Sequence, residues 1–367
     1  MKICYLSNSA IPSDYASSIQ IVKMCEAFAK LGNEVKLITR GDGKNHNIFR
    51  FYDVNIKFSI QILKKFKHFP LGVNYYWFSI VSIFESLKFK PEIYITRNFF
   101  SCFLLILFKK KVILELHDSL DAESRIVRFL IKYFRFLNSV HLKKIIAITY
   151  KVKNIFEERH SVNGDKILVL PSGSSLKGNF PMINRKKQLK IGYFGAINVS
   201  RGLDIIYNLA RIDKKNEYYL YGNIKKIKKI KKYKLIQNLH LQNFIPYREV
   251  SNALSKMDIL LMPYTSSIAV IGIGNPNFTS PLKLFDYLSA GKIIICSNLD
   301  ILKEAIKEKA NAIFIKNFTN VYSWKKEIQK LQNQPFKQLI ISKNNFKLSK
   351  EYSLTNRAKK ILEGIKN

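Results

Sequence analysis

Residues that could bind an anion are concentrated in one loop and the helix after it, NPNFTSPLKLFDYLSAGK at 275–292. Ser280 is a good N-cap and Pro281 a good first helical residue, which predicts a helix that begins there with free backbone N–H groups. Lys283 adds a positive charge in the first turn, and Asp286 follows on nearly the same face. A phosphate suits such a helix end, and a carboxylate beside it suits ribose hydroxyls. The alternative is an ordinary capped helix with an exposed pair of Lys283 and Asp286.

A second loop of this kind is GYFGAINVSRGLDII. Gly195 ends a predicted strand, and Arg201 precedes a helix whose amino end faces the same side. Arginine suits a diphosphate because its planar fork bonds two oxygens at once. The alternative is structural, since Arg-Gly is common before helices.

The third candidate is a histidine, His117, which closes a predicted strand in LELHDSLD. Histidine at such a position could donate to a sugar hydroxyl or phosphate oxygen, or exchange protons near neutral pH. A structural histidine with satisfied hydrogen bonds is the alternative. The five other histidines show no metal-ligand spacing.

Several common ligand motifs are absent from the sequence. The opening loop at 9–18 lacks Gly-x-Gly-x-x-Gly, and neither a P-loop motif nor Asp-x-Asp occurs. These absences count against a nicotinamide oxidoreductase, a P-loop enzyme and a carboxylate-held metal. We therefore expect no metal and no cofactor. The four scattered cysteines fit no disulfide framework and indicate a reducing cytoplasm.

The elements that must position these residues alternate between strands and helices. KICYLSN, IQIVKMCEAFAKLG and EVKLIT form a first βαβ unit, and the alternation restarts at KIGYFGA after a stretch rich in Ser, Gly and Pro. This order predicts an α/β protein with two doubly wound, Rossmann-like parallel sheets. Ligands bind such sheets at the carboxyl ends of the strands, and we expect the site in a cleft between the domains.

The length of 367 residues also favours two domains. We predict an amino-terminal domain over 1–175, a linker over 176–189 and a carboxyl-terminal domain over 190–345. A helix over 346–367 is expected to pack back on the first domain.

The formal net charge is +36, from 62 basic and 26 acidic residues. Such a charge first suggests nucleic acid. However, the excess is spread over both halves of the chain rather than gathered in a tail. Two interpretations stay open: compositional background, and anionic partners such as lipid headgroups or phosphorylated substrates.

No segment is predicted to span a membrane, because the longest apolar run, 99–108, is well short of the roughly 20 residues required. The first nine residues also lack a signal peptide's apolar region. Two stretches, 64–80 and 125–144, combine cations with aromatic residues that could contact anionic lipid. A core-packed helix or a surface loop is the alternative for each. The lysine-rich stretch 223–234 is interpreted as a solvated helix face.

Taken together, these loops resemble the retaining glycosyltransferases of family 4, which have the GT-B fold and use nucleotide-diphosphate sugars. The resemblance runs from near residue 1 to about residue 304. It is carried by IPSDYASSIQIVKMCEAFAKLGNEVKLIT, VILELHD, YFGAINVSRGLDII, FIPYREVSNALSKMDILLMPY and SPLKLFDYLSAGKIIICSNLDILKE.

The resemblance implies a role for each matching residue. His117 would lie beside the donor sugar as the catalytic residue, and Asp286 would bind the ribose. The donor diphosphate would be bound by Arg201, Lys283, Thr279, Ser280 and Gly195. The opening loop would close over the donor phosphates through Ala16, Ser17 and Ser18. Members of the family need no metal.

The chain departs from the family pattern at three places. Of the usual two glutamates separated by seven residues, one is replaced by Asp286 and the other by Phe278. Asn275, Asn277 or Thr279 would then help to bind the sugar. Ala196 stands where an arginine is common, and Ala16-Ser17-Ser18 replaces the common paired glycines.

The resemblance implies a metal-independent enzyme that transfers a sugar from a nucleotide-diphosphate sugar to a saccharide acceptor, expected to be lipid-linked. Synthesis of a surface polysaccharide (O-antigen, capsule or exopolysaccharide) is the expected role, on the cytoplasmic face of the membrane. Two other classes stay open: a nucleotide-sugar 2-epimerase of the same architecture, and a non-enzymatic nucleic-acid-binding protein. The latter rests on net charge alone, and no nucleic-acid partner is expected.

Overall fold

The computed structural model describes residues 1–41, 47–64, 70–120, 123–178, 180–181, 188–197, 201–226, 235–265 and 280–366. These residues form two compact α/β units. Unit 1 comprises 1–172, Ser280 and 354–366, and unit 2 comprises the remaining described residues from Gly173 to Ser353. The first segment of unit 1 ends at Ser172, and the chain returns to unit 1 at Leu354.

Unit 1 is built on seven parallel strands in the order β3-β2-β1-β4-β5-β6-β7. Its strands are β1 (Lys2–Ala10), β2 (Glu34–Gly41), β3 (Ser59–Lys64), β4 (Ile93–Thr96), β5 (Val112–Leu116), β6 (Leu142–Ala147) and β7 (Ile167–Val169). Its helices are α1 (Ala16–Lys30), α2 (Ile48–Phe51), α3 (Leu71–Leu87), α4 (Phe99–Leu107), α5 (Arg125–Phe134), α6 (Tyr150–His160) and, from the end of the chain, α13 (Leu354–Lys366).

Unit 2 has a six-stranded parallel sheet in the order β10-β9-β8-β11-β12-β13. Its strands are β8 (Lys190–Phe194), β9 (Glu217–Tyr221), β10 (Leu239–Gln242), β11 (Ile259–Met262), β12 (Ile293–Ser297) and β13 (Ala312–Ile315). Its helices are α7 (Leu203–Ile212), α8 (Tyr247–Ser255), α9 (Leu282–Ser289), α10 (Asp300–Lys303), α11 (Val321–Gln332) and α12 (Pro335–Glu351).

The central strands are apolar because helices cover both faces of each sheet. Every residue of β5, β11 and β12 is buried. One core of unit 1 joins the sheet to α1 and α13, and a second joins the opposite face to α4, α5 and α6. The predicted class, two doubly wound parallel α/β sheets, is confirmed.

The carboxyl-terminal segment differs from the single helix predicted over 346–367. The chain forms α12 and α13, and these helices are separated at Tyr352–Ser353. The carbonyl of Tyr352 accepts from the backbone N–H of Ser174, so that carbonyl is bonded outside the helix. The structure assigns α12 to unit 2 and α13 to unit 1.

Within the described ranges, no helix is both long and apolar enough to cross a lipid bilayer. The lysine-rich stretch 223–234 falls mostly outside these ranges.

Candidate active site

The strand order reverses once in each sheet, between β1 and β4 in unit 1 and between β8 and β11 in unit 2. At such a reversal the loops at the carboxyl ends of the strands diverge and leave a crevice. Gly195 directly follows β8, and Tyr264 lies two residues beyond β11. The loop predicted around Gly195 therefore borders the crevice of unit 2.

Lys283 lies in the first turn of α9 and its ammonium lies against Gly195. A Cβ atom on Gly195 would be 3.0 Å from Lys283 Nζ, so any larger residue would crowd the ammonium. Gly195 also has φ +133, a backbone conformation that favours glycine. The same Nζ is 3.9 Å from the centroid of the Tyr193 ring.

Arg201 shares an aromatic neighbour with Lys283. The Tyr264 ring centroid is 5.1 Å from Arg201 Cζ and 5.2 Å from Lys283 Nζ. Such distances are typical of cation–π contacts. We name Gly195, Arg201, Lys283 and the rings of Tyr193 and Tyr264 the basic cluster. Three of the five residues predicted for diphosphate binding, Gly195, Arg201 and Lys283, thus come together in unit 2.

The Lys283 ammonium is a buried donor in this cluster. Its Nζ atom is fully covered, although the residue as a whole is half-buried, and it has no hydrogen-bond partner in the described part of the chain. Burial, with the Arg201 charge as a second cause, lowers the pKa of Lys283 well below its ordinary value. A diphosphate beside Nζ would raise that pKa again, so the cluster is suited to an anion.

The start of α9 differs from the prediction. The helix begins at Leu282, with Pro281 at the N-cap position, and Ser280 is not its cap. The Ser280 hydroxyl instead accepts from the backbone N–H of Ser172, at 3.0 Å within unit 1. A tertiary contact has therefore replaced the local capping bond. Thr279, Phe278, Asn277 and Asn275 lie outside the described residues.

Asp286, predicted to bind ribose, lies on α9 and bonds to the segment that precedes β8. Ser174 Oγ donates to Asp286 Oδ1 at 2.6 Å. Burial raises the pKa of Asp286 to about 7, although the bond from Ser174 opposes that shift. Asp286 and Lys283 therefore do not form the exposed pair considered as an alternative.

Replacing Asp286 by asparagine is expected to stabilise unit 2 at high pH. The carboxyl pKa is raised in the folded state, so folding favours the protonated form and stability falls as the pH rises from about 4 to about 7. Asparagine cannot ionise and can keep the bond from Ser174. The gain should be at most about 4 kcal/mol at pH 8, because one pKa unit is about 1.4 kcal/mol.

Urea unfolding of Asp286→Asn and the parent at pH 8 and pH 5.5 measures this effect. The gain should be clearly smaller at pH 5.5. If Asp286→Asn lost the same stability at pH 8 and at pH 5.5, burial would not be disfavouring the ionised carboxylate.

His117 follows β5 in unit 1 and bonds to an acidic neighbour. Its Nε2 atom is 3.0 Å from Glu115 Oε1, and 30% of the His117 side chain is exposed. Burial, then the Arg97 charge, lowers the pKa of His117 to about 4, although Glu115 opposes the shift. The imidazole is therefore neutral at neutral pH.

The segment Ala16-Ser17-Ser18, predicted to lie in a loop, forms the first turn of α1. Ser18 is buried, and its hydroxyl donates to the carbonyl of Ala10 at 2.9 Å and bonds to Ser13 Oγ at 2.7 Å. Its hydroxyl is therefore engaged in holding the preceding turn. Ala16 and Ser17 are exposed.

Several residues of these sites were missed in the sequence. Glu115 is an acid inside the apolar strand VILEL, and an acid in such a strand indicates a buried ionic site. Tyr193 and Tyr264 fit an apolar pattern and gave no sign that they lie beside cations. Across the described ranges, no group of three or more His, Cys, Asp or Glu side chains is placed to hold a metal ion.

Two family models match consecutive parts of the chain. The model of Glycosyltransferase Family 4 matches residues 18–177, and the model of Glycosyl transferases group 1 matches residues 179–348. Together they cover most of both units. No curated protein matches the sequence significantly.

Solved structures with the same fold include HepE of Anabaena in complex with UDP and glucose, at 12% identity and a TM-score of 0.72, with 100% of both chains covered. Sucrose-phosphate synthase of Thermosynechococcus elongatus gives 13% identity and a TM-score of 0.73, with 99% of this chain and 97% of that chain covered. A Listeria monocytogenes protein assigned as a UDP-N-acetylglucosamine 2-epimerase gives 14% identity and a TM-score of 0.65, with 100% and 95% covered.

At these identities the likenesses show the fold, which is shared by transferases and by a protein assigned as an epimerase. The family models are more specific, since each describes glycosyltransferases and together they span both units. The chain therefore belongs to the family 4 type of glycosyltransferases with the GT-B fold.

Proposed function

We propose that the chain is a retaining, metal-independent glycosyltransferase that transfers a sugar from a nucleotide-diphosphate sugar to a saccharide acceptor. The observation that carries the proposal is the buried ammonium of Lys283, which lies beside Arg201 against Gly195 and has no hydrogen-bond partner among the described residues. Such a pair of cations at the carboxyl ends of parallel strands is suited to a diphosphate.

The basic cluster would act on the leaving group. Cleavage of the donor leaves negative charge on the nucleotide diphosphate, and cations held in place before the reaction stabilise that charge as it grows. Lys283 and Arg201 would supply the stabilising positive charge without a metal ion. Asp286 would accept hydrogen bonds from the ribose hydroxyls, and His117 would contact the sugar. Retention is inferred from the family.

A uridine nucleotide is the donor class that we propose to test first. HepE, which has the same fold, has been solved with UDP and with UDP-glucose.

A thermal-shift screen of nucleotide sugars tests donor binding directly, because a ligand that binds only the folded state raises its melting temperature. We expect UDP and a UDP-sugar to raise it, and Lys283→Ala to remove that rise. Lys303→Ala is a matched control, since Lys303 pairs with Asp300 on α10 and both side chains are exposed. If a nucleotide sugar raises the melting temperature and its sugar is then altered with no acceptor present, the chain is an epimerase instead.

We further propose that the acceptor is lipid-linked, that the product is a cell-surface polysaccharide and that the enzyme works on the cytoplasmic face of the membrane. The supporting observation is α5, where Arg125, Arg128 and Lys132 are exposed along one side. Apolar side chains are exposed beside them: Ile126, Phe129, Tyr133 and Phe134. A basic helix with exposed aromatic rings suits an anionic lipid surface.

Sedimentation with vesicles that contain anionic lipid should capture the chain, and high salt should weaken the capture. Replacing both Phe129 and Tyr133 by serine should reduce it. Tyr322→Ser is the matched control, because Tyr322 is a similarly exposed ring in unit 2. Absence of binding at low salt would refute the membrane contact while leaving the donor proposal intact.

A further inference from the structure

Glu115 is the centre of a buried ionic group in unit 1. Its Oε1 atom accepts from Arg357 at 2.8 Å and Arg97 at 3.3 Å, and also contacts His117 Nε2 at 3.0 Å. Its Oε2 atom accepts from the Tyr5 hydroxyl at 2.9 Å. Side chains of Glu115 and Arg357 are only 2% and 3% exposed.

The position of this group follows from the alternation of side chains along a strand. Ile113, Glu115 and His117 are spaced by two, so they project to one face of the sheet. Ile113 packs in the core formed with α1 and α13. Glu115 therefore faces α13, from which Arg357 reaches it. Arg357 is fixed in turn, because its Nε donates to the carbonyl of Pro171 at 2.8 Å.

The charges decide which ring nitrogen of His117 carries its proton. Burial opposes ionisation of Glu115, but Arg357, Arg97 and His117 hold its pKa well below the usual range. An ionised carboxylate only accepts hydrogen bonds, so Nε2 must be the donor. Because the imidazole is neutral, Nδ1 carries no proton. Nδ1 has no hydrogen-bond partner among the described residues, and it is free to accept one.

We propose that Glu115, held by Arg97 and Arg357, is a positioning residue that keeps His117 in the Nε2-protonated tautomer, so that Nδ1 accepts a hydrogen bond from a substrate hydroxyl. The second part rests on the proposed function, in which His117 contacts the sugar. A histidine with this tautomer selects a hydroxyl that donates, and it cannot bind a phosphate oxygen through Nδ1, because both atoms only accept.

The tautomer can be read without any substrate. In protein labelled with ¹⁵N at histidine, long-range ¹H–¹⁵N spectra show which ring nitrogen is protonated, and the signal lost in His117→Gln assigns His117 among the six histidines. At pH 7 we expect His117 to be neutral with its proton on Nε2. Glu115→Gln should give a mixture of tautomers, because the amide can donate as well as accept.

Tyr5→Phe is the matched control within the same group. It removes the bond to Oε2 and the bond that the Tyr5 hydroxyl accepts from Arg97 Nε at 3.0 Å. Arg357, Arg97 and His117 can still donate to Oε1, so the His117 tautomer should not change. A wild-type His117 that is protonated on Nδ1, or on both nitrogens, would overturn the proposal even if Glu115→Gln failed to fold. A folded Glu115→Gln with an unchanged tautomer would also overturn it.

Activity gives a separate reading. With UDP-glucose as the probe, or whichever nucleotide sugar is turned over, Glu115→Gln should lower kcat by about 10-fold to 100-fold through misplacement of the imidazole. The melting-temperature rise with UDP should stay the same, since UDP lacks the sugar. If no nucleotide sugar is turned over, the proposed function fails while the tautomer result stands. Loss of the UDP effect together with kcat would overturn the positioning role.

Discussion

Replacing Lys283 by alanine is expected to lower kcat/KM for the donor by about 10²-fold to 10³-fold. This is the usual cost of removing one group that stabilises charge in the transition state. The effect should be large because Lys283 Nζ lies against Gly195 at the strand end, with Arg201 as the neighbouring cation of the cluster. Arg201→Ala should act in the same direction, and steady-state kinetics with the donor varied measures both.

Lys303→Ala is again the control, and we expect it to leave kcat/KM within about twofold, because its pair with Asp300 is exposed. A double variant of Lys283 and Arg201 should lose less than the product of the two single losses, since the residues act on one anion. Undiminished transfer by both single variants would refute the assignment of the diphosphate site.

Replacing Arg357 by alanine is expected to destabilise unit 1 by about 3–5 kcal/mol. Removal of one partner from a buried ion pair leaves the other charge poorly compensated, and Glu115 is 2% exposed. Arg97 remains as a second cation, but it donates to Glu115 at the longer distance of 3.3 Å. The bond from Arg357 to the carbonyl of Pro171 is also lost.

Unfolding of unit 1 can be followed separately because the two tryptophans of the chain lie in different units. Trp77 is on α3 in unit 1 and Trp324 on α11 in unit 2. In a Trp324→Phe background, urea titration monitored by Trp77 fluorescence reports unit 1. Lys359→Ala on the same α13 removes an exposed pair with Glu363 and should cost less than about 1 kcal/mol. Equal effects of the two variants would contradict the buried role of Arg357.

The basic cluster shows which parts of a site can be predicted from the order of strands and loops in a parallel α/β sheet. Gly195 and Arg201 follow β8, and Lys283 lies in the first turn of the helix that follows β11. The carboxyl ends of parallel strands meet at one edge, so their convergence could be predicted. The tyrosines beside them could not, because an aromatic residue at a strand end is equally typical of the core.

The local predictions that differ from the structure do so through tertiary contacts. Ser280 is a residue type that favours the N-cap position, but its hydroxyl accepts from the backbone N–H of Ser172, which is distant in the sequence. Ser18 is predicted to lie in a loop, but it lies in α1 and its hydroxyl donates to the carbonyl of Ala10. The strands β3, β10 and β13 lie at sheet edges, and β3 and β10 are only partly buried, so these two strands carry a weaker apolar pattern than the central ones.

Arg357 could not be found from sequence at all. It is one arginine in a lysine-rich helix, LTNRAKKILEGIK, and its partner Glu115 precedes it by 242 residues. Glu115 is unusual as an acid in a buried apolar strand, but the sequence around it does not indicate which cation pairs with it. Any of the 62 Lys and Arg residues in the chain could be the cation that pairs with Glu115, and the sequence does not distinguish among them.

The position of α13 has a consequence for synthesis of the chain on the ribosome. All seven strands of unit 1 are made before unit 2 begins, yet the helix that supplies Arg357 is made after unit 2 is complete. Glu115 is therefore without its nearest cation until 242 further residues, about two thirds of the 367-residue chain, have been translated. A shortened gene that ends after β7 would yield a sheet in which Glu115 keeps Arg97 but lacks Arg357, and whose face is covered by α1 without α13. A gene that also encodes 354–366 through a linker would restore both the cation and the helix.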